Sequence, residues 1–503
     1  MKKYKYIAAG LLTSALLITG CSDSFLEVES PTQDFIDTYF TTDAHIQEAV
    51  VAAYDPLHWP DWAMGQYNPV NIMSDIMADG IWVGGADKTD NQYWHLMMNY
   101  EAQPTNCMTG LWTVAYSGVK RCNDVIKYLE WAGDNVTETN RNKYTAQVRV
   151  LRVFYYNWLW KFWGNIPYYE TNLSAPYLAE QVQADQVYQN IITDLEGAIE
   201  LDALPMKETS SNYGRVTKAM AYMLYAEIVM YQKDEARYGK ALQYMQEIIG
   251  SDYSLVDDYT GIFKEAGEWS SESIFEINYK DDNAARSWNS PLYAGGTVLP
   301  RLIGPNGWTG GVDGHDNGWG FCPLRLETYE LYADNDDRRG ATCWNAAAAG
   351  SYNARYQDTG FFLEKYTAHT GDNADQVADG DLNYNNNLRI YRFAETLLNA
   401  AELIVRGAGT GDAKEYLNRV HSRAGLTDEI EATVDNIIEE RRLEFVGEGK
   451  RYWDLVRTDK ASSVLVPDQY GYRTNAWSAS KKYLPIPQSE IDAAQGTLVQ
   501  NNY

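Results

Sequence analysis

Two stretches of the chain gather tryptophan, tyrosine and polar side chains without helical periodicity. The first, "SDIMADGIWVGGADKTDNQYW" (74–94), sets Trp82, Tyr93 and Trp94 beside Asp75, Asp79 and Asn91. The second, from Arg286 to Trp319, sets Trp288, Tyr293, Trp308 and Trp319 beside Asn289, Asn306, Asp313 and His315. This mixture suits one kind of chemistry. A pyranose ring offers an apolar C–H face and a rim of hydroxyls, so its binding asks for flat aromatic surface edged by carboxylates, amides or guanidinium groups. Trp82, Trp94, Trp288, Trp308 and Trp319, with Asp79 at the rim, are the candidate ligand contacts.

Bond-breaking chemistry has less support. A glycoside hydrolase needs two carboxylates about 5–10 Å apart across the sugar, and 69 acidic residues leave many possible pairs. No motif singles one out. GxSxG, HExxH and GxxxxGK[ST] are all missing, and the six histidines (45, 58, 95, 315, 369, 421) are dispersed. "RGAGTGD" (406–412) lies between two helical patterns and reads as a helix-ending turn. "DNADQVADGDLN" lacks the EF-hand order and its terminal Glu. Cys107, Cys122, Cys322 and Cys343 show no zinc spacing and are expected to be structural thiols or, at most, a bridge. No catalytic residue, metal site or cofactor is assigned.

The start of the chain reads as an export signal. Lys2, Lys3 and Lys5 precede an apolar run, Ile7 to Gly20, too short for a finished membrane span. Ile18-Thr19-Gly20-Cys21 resembles a bacterial lipobox, which makes residues 1–20 a signal peptide and Cys21 the lipidated first residue of the mature chain. Removing that signal takes away three lysines and no acidic residue. The remaining 39 basic and 69 acidic residues give a net charge of −30. Such a surface disfavours nucleic acid and other polyanions.

The elements that must position the loops are helical, and they repeat. Residues 218–249 and 392–420 each read as a helix pair, with Ala226-Glu227-Ile228 matching Ala401-Glu402-Leu403 and Ala241…Tyr244 matching Ala413…Tyr416. The unit length is close to that of a tetratricopeptide repeat. Further helices are expected at Trp112–Glu130, Tyr144–Trp163, Asp185–Glu200 and Val434–Arg457. The reading is a mainly α protein: a tetratricopeptide-like helical superhelix carrying long irregular loops. After the signal, residues 21–503 form one domain, with helical repeats around 106–250 and 386–460 and a loop-rich insertion around 251–385. Glu439, Arg441, Arg442, Glu444, Glu448, Arg451 and Asp454 are expected to form a structural ion network rather than an acid–base site.

Seven blocks in order, among them "QVRVLRVFYYNWLWKFWGNIPYYE" (147–170), "GRVTKAMAYMLYAEIVMY" (214–231), "NGWGFCPLRLETYELY" (317–332), "NNNLRIYRFAETLLNAAELI" (386–404), "IIEERRLEFVGEGKRYWDLVRTDKA" (437–461) and "KKYLPIPQSEID" (481–492), resemble those of the SusD/RagB family. The resemblance implies a lipid-anchored protein on the outer face of the outer membrane. It implies four tetratricopeptide-like units and a lid over a SusC-like, TonB-dependent transporter. Its implied role is non-catalytic capture of a glycan, in some members a peptide. It also sets Trp82 and Trp319 roughly where the starch-binding member has platform tryptophans. The readings that compete with glycan capture are a peptide-binding importer lid and a surface glycoside hydrolase.

Overall fold

The computed structural model describes residues 36–310 and 314–503. The signal segment, Cys21 and Asp313 therefore lie outside the described residues. Helices dominate. After α1 (Asp43–Tyr54) come α2 (Gly110–Ala132), α3 (Glu138–Trp163), α4 (Ala184–Glu200), α5 (Lys218–Gln232), α6 (Glu235–Ile249), α7 (Phe393–Val405), α8 (Ala413–Arg423), α9 (Val434–Glu444) and α10 (Arg451–Arg457). Sequential neighbours pack as pairs, α2 on α3, α5 on α6 and α7 on α8, and the pairs stack through α3–α4 and α6–α7 contacts. This is the repeat stack that the sequence implies.

Local chemistry explains the helix limits. The side chains of Thr137, Thr217, Asp412 and Thr433 each accept a hydrogen bond from the backbone N–H three residues on, capping α3, α5, α8 and α9. Lys233 ends α5 in the left-handed region, φ 62°, and lets α6 fold back at once. From Ala219 to Tyr231, α5 is buried on almost every side, as its near-continuous apolar sequence requires. The matching glutamates of the two repeats have a shared task. Glu227 holds Lys161 at 2.5 Å, and Glu402 holds Arg457 at 2.6 Å and Arg406 at 2.8 Å.

One expected helix is two. Between α9 and α10 the turn at 445–450 carries Gly447 and Gly449 at φ +82° and +74°. A Cβ on Gly449 would lie 2.7 Å from the Asn71 backbone, so a side chain is excluded there on two grounds.

Short strands tie the loop-rich region to the stack. β1 (Ser273–Ile277) pairs antiparallel with β4 (Leu388–Arg392), and β2 (Cys343–Asn345) pairs with β3 (Phe361–Leu363). One hydrophobic core runs from Ile46 to Ile486, while Trp308, Trp344, Ala346 and Phe362 form a small separate cluster under the loops. The four described cysteines are buried and unbridged. Among the described residues, no helix is long and apolar enough to cross a membrane.

Candidate functional site

Four half-buried rings from two loops meet in one cluster. Trp62 lies 4.5 Å from Tyr67 and 5.2 Å from Trp288, Trp288 lies 6.0 Å from Trp319 at 26°, and Trp319 closes the circuit 5.8 Å from Tyr67. A buried ion pair holds the loops together. Arg286 donates both terminal nitrogens to Asp61, at 3.0 and 2.7 Å, and also bonds the Trp62 carbonyl at 2.8 Å. Asp61 further accepts from the Val298 N–H. Breaking this pair would leave a charge in the core and free Trp288 from Trp62.

The tryptophan backbones are held as firmly. The Trp288 N–H donates to Asp379, and the Trp319 N–H donates to the Arg301 carbonyl, while Arg355 bonds the Trp319 carbonyl at 2.9 Å. Glycine permits the backbone before Trp319 to approach the 301–304 segment, since a Cβ on Gly318 would sit 2.2 Å from the Gly304 backbone. Between Trp62 and Tyr67 the chain makes a two-residue turn, with Ala63 and Gln66 exchanging backbone hydrogen bonds and Met64 and Gly65 at φ 54° and 74°. Met64 stands 61% exposed at its tip.

Charged groups edge the rings. Arg301 pairs with Asp381 at 3.0 Å, and Arg355 lies 4.0 Å from Asp90. Burial, with the carboxylates of Asp90 and Asp381 close by, pushes the Tyr67 phenol up to about 12, so at neutral pH it remains an uncharged hydroxyl. Apolar faces with guanidinium, carboxylate and phenol groups at their margin can stack on a sugar and bond its hydroxyls.

The sequence-derived candidates divide. Trp288 and Trp319 belong to this platform. Trp82 does not: it is 1% exposed, with the Arg325 guanidinium 3.6 Å above its ring and Tyr470 and Tyr472 against its edges. Trp94 is fully buried, and its indole N–H donates to the Tyr67 carbonyl at 3.0 Å, so it supports the platform from beneath. Trp308, 8% exposed, packs edge-on to Trp344 in the small cluster. Asp79 faces inward to Arg451 and Arg442; burial alone would raise its carboxyl, but the two guanidinium groups outweigh burial and hold it well below the usual range. The structure does not bring Trp82, Trp94, Trp308 or Asp79 to the surface of this platform, because each spends its face or charge on the protein.

Trp62 and Tyr67 were missed. Their signal was the pair of aromatics flanking Met64-Gly65 in "DWAMGQY" (61–67), a turn that displays both neighbours. The dispersed histidines also need revision: His315 and His369 come together with Glu364, their ligand atoms all within 4.8 Å of one another.

Comparison with known proteins agrees with this architecture. The chain matches the SusD family over residues 338–503, and over residues 24–230 a family described as starch-binding and associating with the outer membrane. Surface glycan-binding protein A from Bacteroides thetaiotaomicron, solved in complex with laminarihexaose, is 70% identical, covers 92% of this chain and 100% of its own, and superposes with a TM-score of 0.90. Its counterpart from Bacteroides uniformis is 53% identical over 92% of this chain and all of its own, with a TM-score of 0.85. A SusD-like protein of Bacteroides ovatus is 28% identical over 93% of this chain and 86% of that relative. The chain belongs to the SusD/RagB family. Its relatives are described as binding proteins.

Proposed function

We propose that the protein is a non-catalytic, lipid-anchored glycan-binding protein of the outer-membrane surface. It captures a β-1,3-linked glucan of the laminarin type and passes it to a SusC-like transporter. The observation that carries this reading is the Trp62–Tyr67–Trp288–Trp319 platform, in a chain 70% identical to a protein solved with laminarihexaose. The rings are inclined to one another by 26 to 78°, a faceted surface that suits the curved course of a β-1,3-linked chain better than a flat one. The platform arginines and carboxylates supply orientation, and membership of the family supports the transporter and the anchor.

Each ring contributes on the order of 1 kcal/mol by stacking, so affinity is expected in the micromolar to millimolar range. Trp288→Ala or Trp319→Ala should each lower laminarihexaose affinity roughly five- to thirtyfold, or about 1–2 kcal/mol, in titration calorimetry. Cello- and maltohexaose serve as controls for linkage. Absence of laminarihexaose binding, or binding indifferent to both substitutions, would overturn the reading; so would cleavage of the glycan on incubation.

The anchor has its own test. Cys21→Ala should move the protein out of the membrane fraction while the purified variant keeps its helical circular dichroism spectrum. Continued membrane association in a strain without the transporter would refute lipidation at Cys21.

A further inference from the structure

We propose that His315, Glu364 and His369 bind one divalent transition-metal ion of the zinc class, fastening the loop that carries Trp319 to the segment that follows β3. Two imidazoles and one carboxylate are a ligand set that zinc favours, with a fourth position left for water. His315 lies 49 residues before Glu364, while Glu364 and His369 are close neighbours in sequence, and the backbone brings the two segments together. His315 and His369 face one another across an antiparallel bridge, flanked by Thr370 N–H to Gly314 carbonyl and Asp316 N–H to Ala368 carbonyl bonds of 2.8 Å. Glu364 follows β3 directly.

The side chains are already directed at a shared centre. His315 Nε2 lies 2.7 Å from Glu364 Oε2, and His369 Nε2 lies 3.9 Å from Glu364 Oε1. The donor atoms of a tetrahedral zinc site stand about 3.4 Å apart, given bonds of about 2.0–2.1 Å. Shifts of roughly 1 Å would therefore seat the ion. The His315 ring is fixed for this by stacking on Trp344, centroids 3.8 Å apart and 8° from parallel, in front of the Trp308–Trp344 cluster. Stacking of this kind limits the rotation of the ring.

A cation already sits there. Lys264 Nζ lies 2.9 Å from Glu364 Oε1 and 2.8 Å from His369 Nε2, so an ammonium fills the place where two ligands converge. Its side chain is about a third exposed on a flexible stem and can turn outward when a metal ion arrives. Lys264 thereby acts as a competitor that sets the affinity of the site. Asp372, whose carboxylate accepts from the His369 N–H, adds negative charge beside it.

The experiment is zinc titration of the protein stripped with EDTA, by calorimetry and equilibrium dialysis, without glycan, so that it stands or falls apart from the glucan reading. One zinc ion per chain is expected, with a rise in melting temperature. His369→Gln and Glu364→Gln should each weaken zinc binding by at least about tenfold, and Lys264→Met should tighten it. His369 is the more exposed imidazole, so its variant keeps the test valid should a change at His315 or Glu364 impair folding. No zinc uptake at up to about 1 mM metal, or uptake unchanged in His369→Gln and Lys264→Met alike, would overturn the site and leave an ion-paired cluster only.

Discussion

Replacing Glu444 by glutamine is expected to destabilise the fold by about 3–5 kcal/mol, the cost of breaking a buried charge network by removing one member. Glu444 is fully buried at the end of α9. Its carboxylate accepts from Arg423 at 2.6 Å, from Arg392 at 3.0 Å and from Arg338 at 3.3 Å. Glutamine would keep the shape, lose the charge and turn an amide N–H toward guanidinium donors. Three cations would then depend on Glu272, Asp336, Glu440 and Glu448. None of these residues contributes to the ring cluster, so laminarihexaose affinity should stay within about twofold while thermal unfolding moves down by several degrees. Loss of affinity with unchanged stability would revive an acid–base role for this helix.

The same network sets the acid limit of the protein. Burial alone would raise the Glu444 carboxyl, but Arg423, Arg392 and Arg338 outweigh burial and hold it at about 2. Asp454, between Arg441 and Arg457, and Glu227, facing Lys161, are likewise held at about 2 against the effect of burial. A carboxyl that titrates lower when folded releases its proton more readily in the native state. Its stabilisation is complete above the unfolded value of 4.5 for a glutamate and is lost as pH falls toward about 2. Denaturant titrations should show stability falling through that window, and Glu444→Gln should flatten the fall. An equal slope in both proteins would contradict the assignment.

Trp82→Ala is expected to cost about 3–5 kcal/mol of stability and to leave intrinsic glycan affinity nearly unchanged, the opposite pattern from Trp288→Ala and Trp319→Ala. The indole fills a core position and covers the buried Arg325 guanidinium. Burial, followed by repulsion from Arg473, already lowers Arg325 to about 9, and removing its aromatic cover would leave that charge against a cavity. Melting temperature and calorimetry, measured together on the three variants, separate the support from the platform. A glycan-binding defect in Trp82→Ala at full stability would place Trp82 back among the ligand contacts.

Helix periodicity and the paired Ala-Glu-aliphatic motifs at 226–228 and 401–403 sufficed to read the helical stack, because those signals are local. The ion network was legible for the same reason, as charges at helical spacing on 439–454 with no motif of catalysis around them. In the loops, the residue types indicated sugar recognition, and Trp288 and Trp319 were named among the candidates. Which tryptophan shows its face was not encoded locally. Trp82 and Trp308 are flanked by glycines in polar loops, yet these loop segments fold onto Arg325 and Trp344 from elsewhere in the chain. The Asp61–Arg286 pair ties Trp62 and Tyr67 to the loop of Trp288, and a bridge between two loops brings His315 to His369. By itself the sequence determined composition, periodicity and repeat, and with them the scaffold. Tertiary structure alone decided which aromatic and titratable groups share a surface, since burial and proximity depend on partners more than two hundred residues away, as Asp61 and Arg286 are.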